Sequence, residues 1–178
     1  MDKNDWLTQI RSGNQTAFRH FYETYSEYAI RTAVAITRNQ EMAKDAVQET
    51  FIRVYRQIDT YNPILPFDPW FYRILTNECM RLLKKNSLYS KFEYPELENN
   101  QLNSSAPSHQ VTDLYEAIQS LDEPFRIPLI LKYLKGFTEK EIAAILDLNQ
   151  NTVKSRLFKG RKRLKNQLDP NEKEADYE

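Results

Sequence analysis

The sequence predicts an all-α protein made of two small helical domains joined by a flexible linker, the second domain containing a helix-turn-helix. Apolar residues recur at spacings of three and four along several segments, which is the period of an amphipathic helix. Only three of the 178 residues are glycine, although glycine supplies the positive φ angles of the tight turns that join β-strands. Hydrophobic residues make up 40% of the chain, which is enough for packed cores and excludes wholesale disorder.

Residues 1–85 are predicted to form the first domain, and two of its helices are expected over 14–37 and 41–57. Asn39 is the expected N-cap of the second of these, because its side chain can accept a hydrogen bond from an unpaired backbone N–H. Most of the apolar residues on these helices are expected to form core faces. The apolar residues considered on the two helices are Phe18, Phe21, Tyr22, Tyr25, Tyr28, Ile30, Ala43, Val47, Phe51 and Val54.

A rigid loop is predicted over 61–69, where three residues are proline. Asp68 as an N-cap and Pro69 in the first turn then predict a helix that continues to about Lys85. On a helical wheel, one side of this helix is apolar and the other is a basic stripe, with aromatic residues beside it. Such rings suit stacking on unpaired bases, although a solvated helix face explains the stripe equally well. The stripe holds Arg73, Asn77, Met80, Arg81 and Lys84, and the aromatic residues are Tyr61, Phe67 and Trp70.

Residues 86–111 are predicted to be the linker, because this segment is polar, contains Asn, Ser and Pro, and has no clear period. The second domain is expected over 112–168, followed by an acidic tail over 169–178. The domain begins with a helical segment from Leu114 and continues with another over 124–134. The residues of the latter that are expected to face inward are Ile127, Leu131 and Leu134.

The helix-turn-helix is predicted at the end of the second domain. Thr138 and Glu141 form a capping-box pattern that begins one helix, and Asn149 is suited to cap the next. Within 148–168 there are seven basic residues and no acidic residue. On a helical wheel this last helix has a narrow apolar seam for packing. The seam consists of Val153, Leu157, Gly160 and Leu164.

The opposite face of the last helix predicts DNA binding. A solvated face would explain its lysines, but it explains neither the absence of acidic residues nor an exposed Phe158. Lysine and arginine neutralise phosphates, and an aromatic ring can contact a thymine methyl group in the major groove. The short turn before this helix fits a motif whose second helix enters that groove. This reading face holds Lys154, Ser155, Phe158, Lys159 and Lys162.

Neither a metal site, nor a cofactor, nor enzymatic activity is expected. The pattern over 147–151 resembles the start of a calcium loop, but Thr152 and Phe158 stand where that loop needs glycine and glutamate. His20 and His109 are isolated, and the chain has neither a nucleophile motif nor a phosphate-binding glycine loop.

A cytoplasmic protein is expected. No apolar run approaches the ~18 residues of a membrane span, and the first residues lack the apolar stretch of a signal peptide. Cys79 is the only cysteine, which excludes an intramolecular disulfide, and it is interpreted as a small buried core residue.

Two segments of the chain together resemble a known family. DAVQETFIRVYR (45–56) followed by PWFYRILTNECMRLLKK (69–85) resembles one conserved domain of bacterial RNA polymerase sigma factors, and GFTEKEIAAILDLNQNTVKSRLFKGRKRLKN (136–166) resembles another. Their order and separation are similar to those of the small extracytoplasmic-function (ECF) group. A helix-turn-helix alone would be unspecific, whereas the two motifs together are specific.

The resemblance implies a role for each candidate surface. The first domain would bind the β′ clamp of core RNA polymerase and would recognise and melt the minus-ten promoter element. The second would read the minus-thirty-five element and contact the β flap. An anti-sigma factor, often membrane-bound, is a further implied partner. The polymerase contacts would be Asp45, Gln48, Glu49 and Arg53; the minus-ten contacts Tyr61, Phe67, Trp70, Arg73, Asn77, Arg81 and Lys84; and the minus-thirty-five contacts Lys154, Ser155, Arg156, Phe158, Lys159 and Lys162.

A stand-alone helix-turn-helix repressor, or the output domain of a response regulator, is the main alternative. Its weakness is the first domain, whose long amphipathic helices show neither an alternating strand and helix pattern nor a ligand-pocket signature. A promoter footprint produced by the purified protein without polymerase would favour that alternative.

Overall fold

The computed structural model describes residues 3–89 and 109–168, with side chains over 6–88 and 114–168. Every regular element in these two ranges is helical, so the all-α prediction is confirmed. The chain divides into two compact units, of which the first holds the four N-terminal helices and the second most of the remaining helical residues. The predicted acidic tail and residues 90–108 of the predicted linker lie outside the described residues.

The first unit contains four α-helices. Asn14 and Asn39 cap the second and third of them, and the Asn39 Oδ1 atom accepts a hydrogen bond from the Met42 backbone N–H at 2.9 Å, as predicted. The first helix was not predicted from the sequence, because its nine residues are too few for a clear apolar period. The helices are α1 (Lys3–Arg11), α2 (Gln15–Thr37), α3 (Gln40–Gln57) and α4 (Phe67–Tyr89), with a 3₁₀ turn over Ile58–Thr60 after α3.

A cluster of aromatic rings forms the core of the first unit. The ring of Phe21 on α2 lies 5.2 Å from that of Trp6 on α1, 5.1 Å from Phe51 on α3 and 5.8 Å from Phe71 on α4. These four rings are buried, and their stacked and edge-on contacts stabilise the unit beyond the burial of apolar area. The cluster therefore joins all four helices.

The start of α4 differs from the prediction. The helix begins at Phe67, so Asp68 lies inside the first turn rather than at the N-cap, and its carboxylate accepts a hydrogen bond from the Tyr25 hydroxyl of α2. Burial, followed by this bond to Asp68, raises the pKa of Tyr25. The Asp68 carboxylate, which the local sequence pattern predicted to cap α4, thus binds Tyr25 of another helix. At its other end α4 continues to Tyr89, past the predicted end at Lys85.

Cys79 lies in the middle of α4 and is completely buried. Burial raises the pKa of its thiol to about 12, so the reactive thiolate is scarce near neutral pH. The interpretation of Cys79 as a small core residue is confirmed.

The second unit contains four further α-helices and one π-helical turn. Thr138 caps its third helix through a reciprocal capping box, in which the Glu141 N–H donates to Thr138 Oγ1 and the Thr138 N–H donates to Glu141 Oε2. The capping box was predicted and is confirmed. The helices are α5 (His109–Ser120), α6 (Glu123–Leu129), α7 (Glu139–Leu146) and α8 (Gln150–Leu168), with the π turn over Ile130–Leu134.

The prediction that Leu134 faces inward is wrong. Ile127 and Leu131 are buried as predicted, but Leu134 is 60% exposed. Pro128 inside α6 lacks a backbone N–H, and the π turn that follows has more residues per turn than an α-helix. The side chain of Leu134 therefore points in a different direction from the one that a regular α-helical period predicts.

Candidate nucleic-acid interface and partner groove

The packing seam of α8 is confirmed. Val153, Leu157 and Gly160 are buried, and Asn149 caps the helix by accepting a hydrogen bond from the Asn151 N–H at 2.8 Å. A Cβ atom added at Gly160 would lie 2.9 Å from Cδ1 of the buried Leu129. The glycine thus allows α8 to pack closely against α6. The sequence placed Gly160 in the seam but did not predict this close approach.

The reading face of α8 is exposed. Lys154, Ser155, Lys159 and Lys162 are open to solvent, and 62% of Phe158 is exposed although it is a large apolar residue. Exposed arginine and lysine beside an aromatic ring can contact both phosphates and base edges. The half-buried Arg156 lies with Ser155 and Lys159 in a groove of about 460 Å³ that Pro124 and Phe125 of α6 also line. The contribution of α6 to this groove was not predicted.

Two arginines at the edge of α8 bind groups of the protein itself. Arg163 forms an ion pair with Asp122 at 2.8 Å, and its guanidinium lies 4.1 Å from the centre of the Phe125 ring. Arg161 donates a hydrogen bond to the Tyr133 hydroxyl. These contacts hold α8 against the preceding helices, so part of the basic charge of α8 serves packing.

The basic stripe of α4 is exposed along the first unit. Arg73, Asn77, Arg81 and Lys84 are all open to solvent, while Phe71, Leu75 and Cys79 on the other side are buried. Their spacing of three and four residues places the four side chains on one face. The structure therefore brings these four predicted minus-ten residues together.

Tyr61 and Phe67 do not belong to this exposed face, which corrects the sequence prediction. Their side chains are only 4% and 5% exposed, and their ring centres lie 5.4 Å apart at the edge of the aromatic core. A ring buried in this way cannot stack on a base without leaving the core. Trp70 packs on both rings and is half-buried, so it alone of the three predicted aromatic residues keeps an accessible surface.

The loop between α3 and α4 is anchored by contacts that the sequence did not reveal. Arg11 of α1 donates hydrogen bonds to the backbone carbonyls of Ile58 and Tyr61, and the Tyr61 hydroxyl donates to the carbonyl of Leu65. The tip of the loop exposes Ile64 and Leu65, which are 88% and 59% accessible. The loop before α4 thus presents apolar side chains on a backbone held at both ends.

An open groove of about 1070 Å³ lies between α2 and α3. Gln48, one of the predicted polymerase contacts, lines it and is exposed; Asp45 is also exposed on α3. Glu49 and Arg53 are half-buried. The aromatic wall of the groove was missed, because Phe18 and Tyr22 were assigned to the core by their spacing. The apolar side chains of the wall are Phe18, Tyr22, Val47, Phe51, Ile52 and Tyr55.

Glu78 on α4 is a buried acidic residue that the sequence analysis did not single out. Its side chain is 2% exposed and contacts two arginines: Arg53 Nε forms an ion pair with Oε1 at 2.9 Å, and Arg81 Nε donates a hydrogen bond to Oε2 at 2.8 Å. Arg53 also contacts Glu49 at 3.2 Å. A predicted polymerase contact and a predicted DNA contact are therefore joined through one carboxylate.

Within residues 3–89 and 109–168, no group of three or more His, Cys, Asp or Glu side chains is placed to hold a metal ion. Within the same ranges, no helix combines the length and the apolar character that crossing a bilayer requires.

Comparison with known families supports the two resemblances. Residues 21–88 match the family described as Sigma-70 region 2, and residues 112–164 match Sigma-70, region 4. The first match contains α3, nearly all of α4 and most of α2; the second contains α7 and α8 as far as residue 164.

Individual relatives cover most of the chain. The ECF RNA polymerase sigma factor SigW of Bacillus subtilis is 30% identical over 176 residues, which cover 91% of this chain and 94% of that protein. The ECF RNA polymerase sigma factor SigE of Mycolicibacterium smegmatis is 30% identical over 168 residues, covering 88% of this chain but only 65% of the relative. The ECF RNA polymerase sigma-E factor of Escherichia coli K12 is 27% identical over 183 residues, covering 92% and 93%.

Two solved structures share the fold. CnrH in complex with the cytosolic domain of CnrY superposes with a TM-score of 0.69 at 23% identity, covering 93% of this chain and 96% of that one. The sigma factor RpoE in complex with the anti-sigma factor NepR from Bartonella quintana superposes with a TM-score of 0.70 at 22% identity, covering 85% and 96%.

Proposed function

The chain belongs to the ECF RNA polymerase sigma factors, and on that premise we propose how its surfaces divide the work of transcription initiation. The groove between α2 and α3 binds core RNA polymerase. The α4 stripe recognises and opens the minus-ten element. The reading face of α8 binds the minus-thirty-five element.

The observation that carries this proposal is the exposed reading face of α8, together with the exposed stripe of α4 in the same chain. Phosphate contacts hold DNA in register, and exposed Ser155 and Phe158 stand where a major-groove helix would meet base edges. In α4, Asn77 lies among three exposed cationic side chains. This arrangement suits binding of an unpaired base by Asn77, with the cations neutralising the neighbouring backbone phosphates.

The α2–α3 groove supports polymerase binding by its chemistry. An aromatic wall with polar residues at its rim is typical of a surface that docks a helical partner. Asp45 and Gln48 remain exposed for such contacts, whereas Glu49 and Arg53 are bound to each other. We therefore assign the direct contacts to Asp45, Gln48 and the aromatic wall, and the packing of α3 to Arg53.

The factor acts by binding rather than by enzymatic catalysis in this proposal, and it works in the cytoplasm with the polymerase. Opening a base pair costs a few kcal/mol, which binding of the unpaired base by α4 offsets.

One of the two fold relatives was solved with an anti-sigma factor, and the other with the cytosolic domain of a second protein. An anti-sigma partner is therefore part of the proposal.

Run-off transcription with core RNA polymerase on a random promoter library tests the proposal. Transcripts that depend on the factor, and that share two sequence elements upstream of their starts, are the expected result. Absence of any dependent transcript would contradict it. A DNase footprint on one element without polymerase would instead favour a stand-alone DNA-binding regulator.

A further inference from the structure

Glu78 has no part in the functions assigned above, yet it is the most buried acidic side chain among the described residues. It lies one turn before Arg81 on α4 and faces α3, where Arg53 meets it. One carboxylate oxygen accepts a hydrogen bond from Arg81 Nε, and the other forms an ion pair with Arg53 Nε. The two arginines are 40% and 50% exposed, so their charged ends reach the surface from a buried anchor.

The contact fixes the position of Arg81. An arginine on a solvated helix face samples many rotamers, and ordering it against DNA costs conformational entropy at the moment of binding. Arg81 is already ordered by its bond to Glu78 in the folded protein. Its guanidinium is therefore pre-organised on the stripe that also carries Asn77, four residues earlier on the same face.

The Glu78 carboxylate also connects the basic stripe of α4 to α3, which lines the α2–α3 groove. Arg53 belongs to α3, the helix that supplies Gln48 to the groove; its Nε donates a hydrogen bond to Glu49 and forms an ion pair with Glu78. Charged hydrogen bonds of this kind, partly shielded from water, are stronger and more directional than exposed ion pairs. The register of α3 against α4 is therefore held at a point between the two candidate surfaces.

We propose that Glu78 is a positioning residue for promoter melting, which holds the Arg81 guanidinium on the DNA-facing stripe and ties that stripe to α3 through Arg53. This inference rests on the proposed function. It predicts that the charge of Glu78 matters more for strand opening than for stability. Both arginines reach water, so removing the carboxylate leaves no buried charge unpaired, whereas removing an arginine would.

The first test is Glu78→Gln, with Glu23→Gln on the exposed face of α2 as a control that removes the same charge. Open-complex formation is followed by permanganate reactivity of melted thymines, using holoenzyme assembled from core polymerase and the full-length factor. We expect opening to slow on the order of tenfold, which is the cost of ordering one long side chain. Thermal stability and affinity for core polymerase should stay close to those of the wild type.

If Glu78 acted only through its charge, Glu78→Gln would not slow promoter opening. Removing a negative charge beside a DNA-binding stripe strengthens attraction to phosphates, so a purely electrostatic role would leave opening unchanged or faster. Opening by Glu78→Gln at or above the wild-type rate would therefore overturn the inference. If that variant fails to fold, Glu78→Leu gives the same readout with an apolar side chain of similar volume.

The second test asks whether Glu78 acts through Arg81. Opening is compared for Arg81→Gln, Glu78→Gln and the double variant. If Glu78 positions Arg81, the double variant opens no more slowly than Arg81→Gln alone. Additive losses would assign Glu78 to general packing and overturn the inference. A wild-type factor that drives no transcription would instead refute the proposed function itself.

Discussion

Arg53 and Glu78 form an ion pair between α3 and α4, with 2.9 Å between Arg53 Nε and Glu78 Oε1. The carboxylate is buried while the arginine is only partly so, and a second arginine, Arg81, holds the other oxygen. A buried carboxylate is stable only when charged partners satisfy it. The pair therefore stabilises the contact between α3, which lines the α2–α3 groove, and α4, which carries the basic stripe.

Replacing Arg53 with methionine should lower the free energy of unfolding of the first unit by about 1–3 kcal/mol. The loss stays below that of a fully unpaired buried charge because Arg81 remains bound to Glu78. Urea denaturation measures the effect. Arg31→Met is the matched control, since Arg31 pairs with Glu27 at the surface, where both side chains are mostly exposed, and such pairs contribute little. Equal losses in the two variants would contradict the assigned role.

Asp45→Lys should weaken binding to core polymerase by about tenfold, because it reverses an exposed charge on the helix that lines the partner groove. Affinity is measured by fluorescence anisotropy of labelled factor. Glu49→Lys is a poorer probe, since it also breaks the contact between Glu49 and Arg53. Glu23→Lys, an equal charge reversal on the exposed surface of α2, serves as the control. Wild-type affinity of Asp45→Lys would assign this residue to an ordinary solvated face.

Asn77→Ala should slow open-complex formation while leaving thermal stability unchanged or slightly raised. The side chain is exposed in the middle of α4, and alanine has the higher helix propensity. Loss of its amide removes a group that can bind the edge of an unpaired base. The readout is permanganate reactivity of the melted thymines on a linear promoter. Normal melting would show that Asn77 does not bind the opened strand.

Lys159→Ala should reduce transcription from promoters that have a minus-thirty-five element and leave the melting temperature unchanged. Lys159 is exposed and lines the α6–α8 groove, so its removal should not disturb the core, and in the proposed function it binds DNA. Removing one phosphate contact should also reduce the slope of log affinity against log salt by about 0.9. A promoter that lacks the element is the internal control. Equal activity of variant and wild type on both promoters would remove Lys159 from the reading face.

Gly160→Val should destabilise the second unit by about 2 kcal/mol. A Cβ atom at this position already approaches Leu129 Cδ1 to 2.9 Å, and Leu129 is almost completely buried and has little room to move. Urea denaturation of the full chain, followed by a probe in the second unit, measures the change. An unchanged midpoint would mean that α6 and α8 can separate at no cost.

Local signals were sufficient for most of the helices and for one of the surfaces. Asn39, and the pair Thr138 and Glu141, satisfy unpaired N–H groups within three residues, so their capping roles follow from sequence spacing. The seam and the exposed face of α8 also followed from spacing, since a helix that packs through one face obeys a single period.

Features that depend on residues far apart in the chain could not be predicted in this way. Tyr61 and Phe67 were placed on the DNA-facing surface because they adjoin basic residues, yet the aromatic core of α1, α2 and α4 buries them. Asp68 has the pattern of an N-cap but binds Tyr25, which lies 43 residues away.

The sequence by itself determined the helical class, the helix-turn-helix and the basic character of α4 and α8, because each rests on the repeat of a single helix. Only the tertiary structure decided which aromatic rings are accessible and which arginines are already bound. Glu78 shows the physical reason: its burial depends on α3 packing against α4, and only that packing brings Arg53 to the carboxylate that Arg81 already contacts within α4.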